Sequence, residues 1–256
     1  MKVILDYIWL DGNTISDVRF LTKVLDIDVK QYGGIQGFIG KLPRLIETKE
    51  DIENIPSVEI DGTLTKQKSS TDLTPTVLNP IKMYLNPTKV NSYYVLCEVY
   101  DGDVPHSTNS RNALKEKMPK ILEGVPHIGI KEKFIIFKKG DGTGVINPNH
   151  LQTYSSRQTN NEVIIDEFLN CIIKMNLPID EIVNKFNHWE VKTSLSDSLT
   201  LSDDIIIMRH LLYRLSNKHD LSVSFFRKYG TEIHSERDKI NDPYLLTRKL
   251  INSDSE

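Results

Sequence analysis

The run VILDYIWL at 3–10 is rich in β-branched and aromatic residues and stops at Asp11-Gly12-Asn13. A chain written this way extends and then reverses, because the apolar run suits a pleated, half-buried surface and Asp-Gly supplies the backbone freedom of a tight turn. FLTKVLDI at 20–27 is the expected antiparallel partner. Everything downstream has to cover one face of that hairpin.

The territory up to residue 100 reads as β-rich and loop-rich. Gly33, Gly34, Gly37 and Gly40 interrupt one stretch, and SVEIDG follows at 57–62. Pro75, Pro80 and Pro87 are expected to break LTPTVLNPIKMYLNP into short extended pieces, since proline cannot donate to a sheet ladder. YYVLCEVY at 93–100 is a strand ended by Asp101-Gly102, and STNSRNALKEKMPKIL at 107–122 has Ser, Thr and Asn caps followed by helical composition. A domain boundary is placed near residue 105, giving domains 1–105 and 106–256.

In the second domain, HIGIKEKFIIFKK at 127–139 reads as a strand, and DGTG at 141–144 turns into a polar loop over 145–161. That turn lacks the Gly-Lys-Ser/Thr pattern of a phosphate loop. Val163, Ile164, Phe168, Cys171, Ile172 and Met175 recur at helical spacing, which predicts a helix over 161–176 ending near Pro178. HWEVKTSL at 188–195 is strand-like. A helix is expected over 203–218, with Ser202 as its cap and Asp203 and Asp204 in its first turn. One further strand, then polar material, fills 221–239, and the last residues should fray.

Composition narrows the function classes. With 256 residues and 39% hydrophobic content the chain can bury one large or two small cores. Thirty-two basic residues balance 35 acidic ones, so no field builds for nucleic acid or an anionic membrane, and neither partner is expected. No stretch approaches the roughly 20 apolar residues of a membrane span. Cys97 and Cys171 sit in apolar runs as small buried hydrophobes, and a reducing, cytoplasmic compartment is the default expectation. His210 and His219 read as surface or interface residues, and Arg111 as the anchor of a helix start or domain junction.

Particular words in this order resemble the eukaryotic-type glutamine synthetase family along nearly the whole chain. They are YIWLDGN at 7–13, EIDGTLT at 59–65, and TDLTPTVLNPIKMYLNPTKVNSYYVLCEVYDGDVPHSTNSR at 71–111, with its proline spacing and P-x-x-T-N-x-R ending. The resemblance implies an α/β (α+β) fold, in which a β-grasp-like N-terminal domain precedes a reduced antiparallel-sheet and helix catalytic-like domain. It also implies ATP-dependent ligation of ammonia to glutamate with Mg²⁺ or Mn²⁺, in rings where each active site joins two chains.

The metal-site positions depart from that pattern. The family's G-x-E-x-E strand, whose two-residue spacing puts both carboxylates on one face, reads Gly129-Ile130-Lys131-Glu132-Lys133 here. Glu132 falls on the opposite face and could replace neither without a register slip. Glu190, in His188-Trp189-Glu190, matches a surviving metal-site glutamate. Seven residues upstream, where the family has another, stands Val183, with Glu181 and Asp180 nearby. His234 matches the family's metal-binding histidine, Lys228 a phosphate contact, and Asp61 a residue serving a neighbouring subunit's site. The nucleotide-entry loop looks shortened, and the family's C-terminal arginines, last metal-binding glutamate and flap have no counterpart.

The expected function is therefore a catalytically inactive pseudoenzyme, with no cofactor, acting through self-association or a glutamine-synthetase-like partner. Lys131 and Lys133 would either replace metals electrostatically, pairing with Glu190 and with Asp61 of an adjacent subunit, or point into water. The alternatives are an active ligase of retained or altered specificity, using ATP with Mg²⁺ or Mn²⁺, and a purely structural protein that reuses the fold.

Overall fold

A computed structural model describes residues 1–14, 16–72, 74–117, 127–139, 162–185, 188–225, 230–233 and 244. The chain divides into two compact units, Met1–Asn112 with Lys174–Asn176, and Ala113–Ile173 with Leu177–Glu256.

The first unit opens with the expected hairpin. Strands β1 (Lys2–Leu10) and β2 (Val18–Asp26) pair antiparallel from Lys2↔Asp26 to Leu10↔Val18. The buried Asp11 carboxylate organises the turn: Oδ1 accepts from the Asn13 and Asp17 amides at 3.1 and 3.0 Å, and Oδ2 from Arg19 Nε at 2.9 Å. Gly12 is needed because a Cβ there would stand 2.1 Å from the Lys66 carbonyl oxygen.

Short elements follow: a 3₁₀ turn (Lys30–Tyr32), α1 (Ile35–Ile39), β3 (Arg44–Leu45), α2 (Lys49–Asn54) and β4 (Val58–Ile60). The glycine-punctuated stretch thus holds helices that its composition did not announce. Thr48 caps α2 by accepting from the Asp51 amide at 3.1 Å. Strands β5 (Thr76–Leu85), β6 (Ser92–Asp101) and β7 (Val104–Pro105) and helix α3 (Ser110–Lys115) complete this part of the chain.

The sheet order is β2-β1-β6-β5-β3, with β4 also on β5 and β7 on β6. The central pair β1 and β6 runs parallel, from Ile4↔Ser92 to Ile8↔Leu96, which is the β-grasp-like arrangement. One face carries Leu5, Tyr7, Tyr93, Val95 and Cys97 into a core closed by Tyr32, Phe38, Ile46 and Ile55. Phe38 packs edge-on against Tyr32 and Tyr93 at 5.0 and 5.1 Å between ring centroids.

Two expectations here need correction. Pro80 does not break the chain: β5 runs continuously through it, and the register shifts between Pro80 and Lys82, a bulge that absorbs the missing donor. The helix expected from 107 spans only Ser110–Lys115 among the described residues, with 118–126 outside them. Arg111 in it reaches back to β6, with Nη1 2.7 Å from Glu98 Oε1, both side chains buried. That is the anchoring role expected of it.

The second unit contains β8 (His127–Ile128), β9 (Ile130–Lys138), α4 (Glu162–Met175), β10 (Ile179–Lys185), β11 (His188–Thr193), β12 (Ser196–Asp197), α5 (Ser198–Lys218), β13 (Leu221–Ser224) and β14 (Gly230–Ile233). The main sheet has the order β10-β11-β9-β13, with β14 also on β9, all antiparallel, and β12 pairs with β8. The sequence reading of one strand after residue 220 missed β14, whose four residues are too polar to signal burial.

Helix α5 starts five residues earlier than expected. Asp197, not Ser202, is its cap, accepting from the Thr200 amide at 2.9 Å, and Ser202 bonds back to the Ser198 carbonyl at 2.7 Å. Residues Leu201 to Leu212 are all buried, so α5 is covered all round and shows little amphipathic periodicity. His210 lies inside that stretch, 2% exposed, and is not the surface residue expected. His219, after the helix, is 2.8 Å from Glu167 of α4. Cys97 and Cys171 are buried and form no disulfide, as expected. No helix among the described residues is long and apolar enough to cross a membrane.

Candidate functional site

Strand β9 alternates strictly. Ile130, Glu132, Phe134 and Ile136 are buried, whereas Lys131, Lys133, Ile135 and Phe137 are half-buried on the other face. The cross-strand register sets Lys133 directly opposite Glu190 and Lys131 directly opposite Lys192. On the far side of β11, Val183 is opposite Glu190 and Glu181 is opposite Lys192.

One sheet face therefore gathers Lys131, Lys133, His188, Glu190, Lys192, Glu181 and Lys185. Lys131 Nζ lies 3.6 Å from Glu190 Oε1, and His188 Nε2 lies 3.9 Å from Glu190 Oε2. Lys192 Nζ is 2.9 Å from Glu181 Oε2, and Asp180 Oδ1 accepts from Ser194 Oγ at 2.5 Å. Both carboxylates near Val183 thus have other partners, and it is the valine that stands beside Glu190.

Glu132, on the opposite face, is fully buried. Its Oε1 accepts from Arg209 Nε at 2.9 Å and lies 2.8 Å from Arg209 Nη2. The Arg209 guanidinium also sits 5.1 Å from the Phe225 ring centroid, and Phe225 packs on Phe134 of β9. Sequence reasoning placed Glu132 on this face but missed Arg209, whose only signal is an arginine inside the apolar run of α5.

Asp61 belongs to the first unit and is exposed. It accepts from the Thr63 hydroxyl at 2.7 Å and the Thr63 amide at 2.9 Å, and these bonds hold its carboxyl below the usual carboxylate range. The loop around it is fixed from several sides. The Gly12 amide donates to the Thr65 carbonyl at 2.8 Å, Gln67 Nε2 donates to the Leu10 carbonyl at 3.0 Å, and the Gln67 and Lys68 amides donate to the Gly62 carbonyl. Lys228 and His234 lie outside the described residues, as do the turn at 141–144 and the loop over 145–161.

Hard divalent cations take oxygen ligands. The face offers Glu190 with two ammonium groups beside it, and no group of three or more His, Cys, Asp or Glu side chains among the described residues is placed to hold a metal ion. Among the described residues, this donor set does not fit Mg²⁺ or Mn²⁺.

Proteins named glutamine synthetase match most of the chain at low identity. That of Rhizobium meliloti is 24% identical over 241 residues, covering 89% of this chain and 65% of its own length. That of Panulirus argus is 24% identical over 232 residues, covering 85% and 58%. Glutamine synthetase 2 cytoplasmic of Drosophila melanogaster is 23% identical over 226 residues, covering 83% and 55%. Among solved structures, ligand-free GmaS superposes with a TM-score of 0.62 at 13% identity, over 91% of this chain and 56% of that one. No protein-family model matches. The chain spans less than two thirds of the length of these relatives.

Proposed function

We propose that this chain, similar over most of its length to proteins named glutamine synthetase, serves as a non-catalytic member of that group, a pseudoenzyme acting through self-association or through binding a glutamine-synthetase-like partner. The observation that carries this reading is the placement of Lys131 and Lys133 beside Glu190 on one sheet face. An ammonium about 4 Å from a divalent ion costs on the order of 8 kcal/mol at an effective dielectric of about 20. Two of them make an ion-excluding surface where phosphoryl transfer would need an ion-attracting one.

A one-residue slip of β9 would bring Glu132 to that face. It would also bury a lysine in the slot that Glu132 fills and strip the buried Arg209 of its carboxylate, so the slip is strongly disfavoured. Lys131 instead neutralises Glu190 within the chain. Asp61, on its braced and exposed loop, is the group we assign to an assembly contact, with a second copy or a related synthetase as the partner.

The test is calorimetric titration of the purified protein with Mn²⁺ and Mg²⁺, with and without ATP, alongside a light-scattering mass. The expected result is no saturable metal binding in a defined oligomer, and a gain of Mn²⁺ binding in the Lys131→Glu/Lys133→Glu variant. Saturable metal–ATP binding by the unmodified protein would instead point to an ATP-dependent carbon–nitrogen ligase, and the non-catalytic reading would fall. A compact monomer that does not co-elute with an active synthetase would remove the assembly role.

A further inference from the structure

The first unit leaves one long strand at the rim of its sheet. Strand β2 has nine residues and, among the described residues, pairs only with β1. The opposite end of the strand order is held by β3 and β4, two and three residues long. Long edges are ordinarily blunted by proline, by a bulge or by brevity, because their unpaired amides and carbonyls recruit another strand. Strand β2 has no proline, and its register with β1 runs one to one from Val18 to Asp26 without a bulge. Phe20 and Val24 stand 42% and 64% exposed on it.

The ladder fixes which groups face outward. Hydrogen-bonded and non-bonded pairs alternate along an antiparallel pair. At the two ends of this one, the Asp11 amide donates to the Asp17 carbonyl at 3.0 Å and the Ile27 amide to the Met1 carbonyl at 2.9 Å. Odd-numbered residues of β2 therefore turn their backbone groups to β1, and even-numbered residues turn theirs to the open edge. Among the described residues, the outward amides of Thr22, Val24 and Asp26 meet no acceptor. Leu21 and Leu25 point to the core, so the even-numbered side chains, Phe20 and Val24 included, share the other face.

We infer that β2 is the interface with a second copy of this chain, pairing antiparallel with its own counterpart about a two-fold axis at Thr22. The inference rests on the self-association reading above and names a contact for it. Outward groups meet outward groups only when even-numbered residues face even-numbered ones, which leaves registers centred on a single residue. Centring on Lys23 sets it against its own copy, and centring on Leu21 sets Lys23 against Arg19; like charges so placed repel. Centring on Thr22 overlaps all nine residues. It sets Phe20 against Val24 twice, an aromatic on a β-branched residue, with Lys23 against Leu21 and Arg19 against Leu25. Such a contact uses the same patch on both chains and closes at two.

The experiment is light scattering of the full chain from low to high micromolar concentration. A dimer, or a multiple of it, is expected, with its mass halved in Val24→Pro. Proline at that position removes only an outward amide and leaves the bonds to β1 in place. Should that variant fold poorly, Phe20→Glu/Val24→Glu and Phe20→Glu/Val24→Lys test the register directly. The first sets acid against acid across the axis and the second acid against base, so the first is expected to associate about tenfold more weakly than the second. Equal association by these two variants, or an oligomer that Val24→Pro leaves whole, overturns this contact and leaves the self-association reading standing. A monomer at every concentration overturns both.

Discussion

Glu132 and Arg209 stand 77 residues apart in the chain and meet in the interior of the second unit, with Glu132 0% and Arg209 3% exposed. Their pair fixes which edge of β9 points inward, because the slot that holds a carboxylate against a guanidinium rejects the lysine on either side. Removing one partner takes the opposite charge away from the buried group that remains. Glu132→Ala is therefore expected to lose about 3–5 kcal/mol in urea denaturation, whereas Glu132→Leu with Arg209→Met should lose far less. Equal losses in the single and double variants would mean that packing, not charge, governs this position.

Gly12 tests the contact between the first hairpin and the loop bearing Asp61. A methyl group there would sit 2.1 Å from the Lys66 carbonyl oxygen and 2.5 Å from its carbon, and backbone cannot swing aside as a long side chain can. Gly12→Ala is expected to destabilise by about 2–3 kcal/mol and to expose the amides of Gln67 and Lys68 to hydrogen exchange. Unchanged exchange at those amides would show that the loop does not depend on the turn.

The hairpin, the 93–100 strand and the side of β9 that carries Lys131 and Lys133 were legible because period-two alternation and Asp-Gly turns are local signals. Lys192 was equally legible by counting two residues on from Glu190. Pro80 misled because a proline inside a long strand is tolerated only at a bulge, and a bulge is decided by the partner strand. The start of α5, the burial of His210 and the partner of Glu132 were hidden for a single reason. A helix surrounded by protein loses the amphipathic stripe that marks its inward face, and the residue opposite a buried charge lies far away in the chain.

Lys68 is the buried cation of the Asp61 loop, its side chain 2% exposed. Its Nζ donates to the Thr74 hydroxyl and lies 2.9 Å from Asp101 Oδ1 at the end of β6 and 3.7 Å from Asp72 Oδ2. Asp101 is half exposed and returns to water when the ammonium is removed, so the loss is smaller than for a fully buried pair. Lys68→Met is expected to cost about 1–2 kcal/mol by thermal or urea unfolding and to raise exchange at the Lys68 amide, which donates to the Gly62 carbonyl. Where light scattering shows the unmodified protein to be an oligomer, its dissociation in this variant would make the braced loop part of the assembly contact; an intact oligomer with a loosened loop would separate the two.

His210 gives the fold a pH limit. Burial, reinforced by the nearby Arg214 charge, lowers its pKa to about 3 from an ordinary value of 6.5. The folded chain therefore holds a neutral imidazole over a range in which the unfolded chain takes up a proton. Since the unfolded state binds more protons there, stability is fully present above about pH 6.5 and declines as pH falls toward 3, by at most about 1.4 kcal/mol per pH unit from this group. Carboxylates titrate in the lower part of the same range, so the informative quantity is the difference between the unmodified protein and His210→Leu. That difference should stay constant from pH 8 to 7 and then move steadily in favour of the variant down to pH 4.5, read by urea denaturation at each pH. Parallel curves over the whole range would mean that the folded protein accommodates a protonated His210, and burial would not be the controlling influence on it.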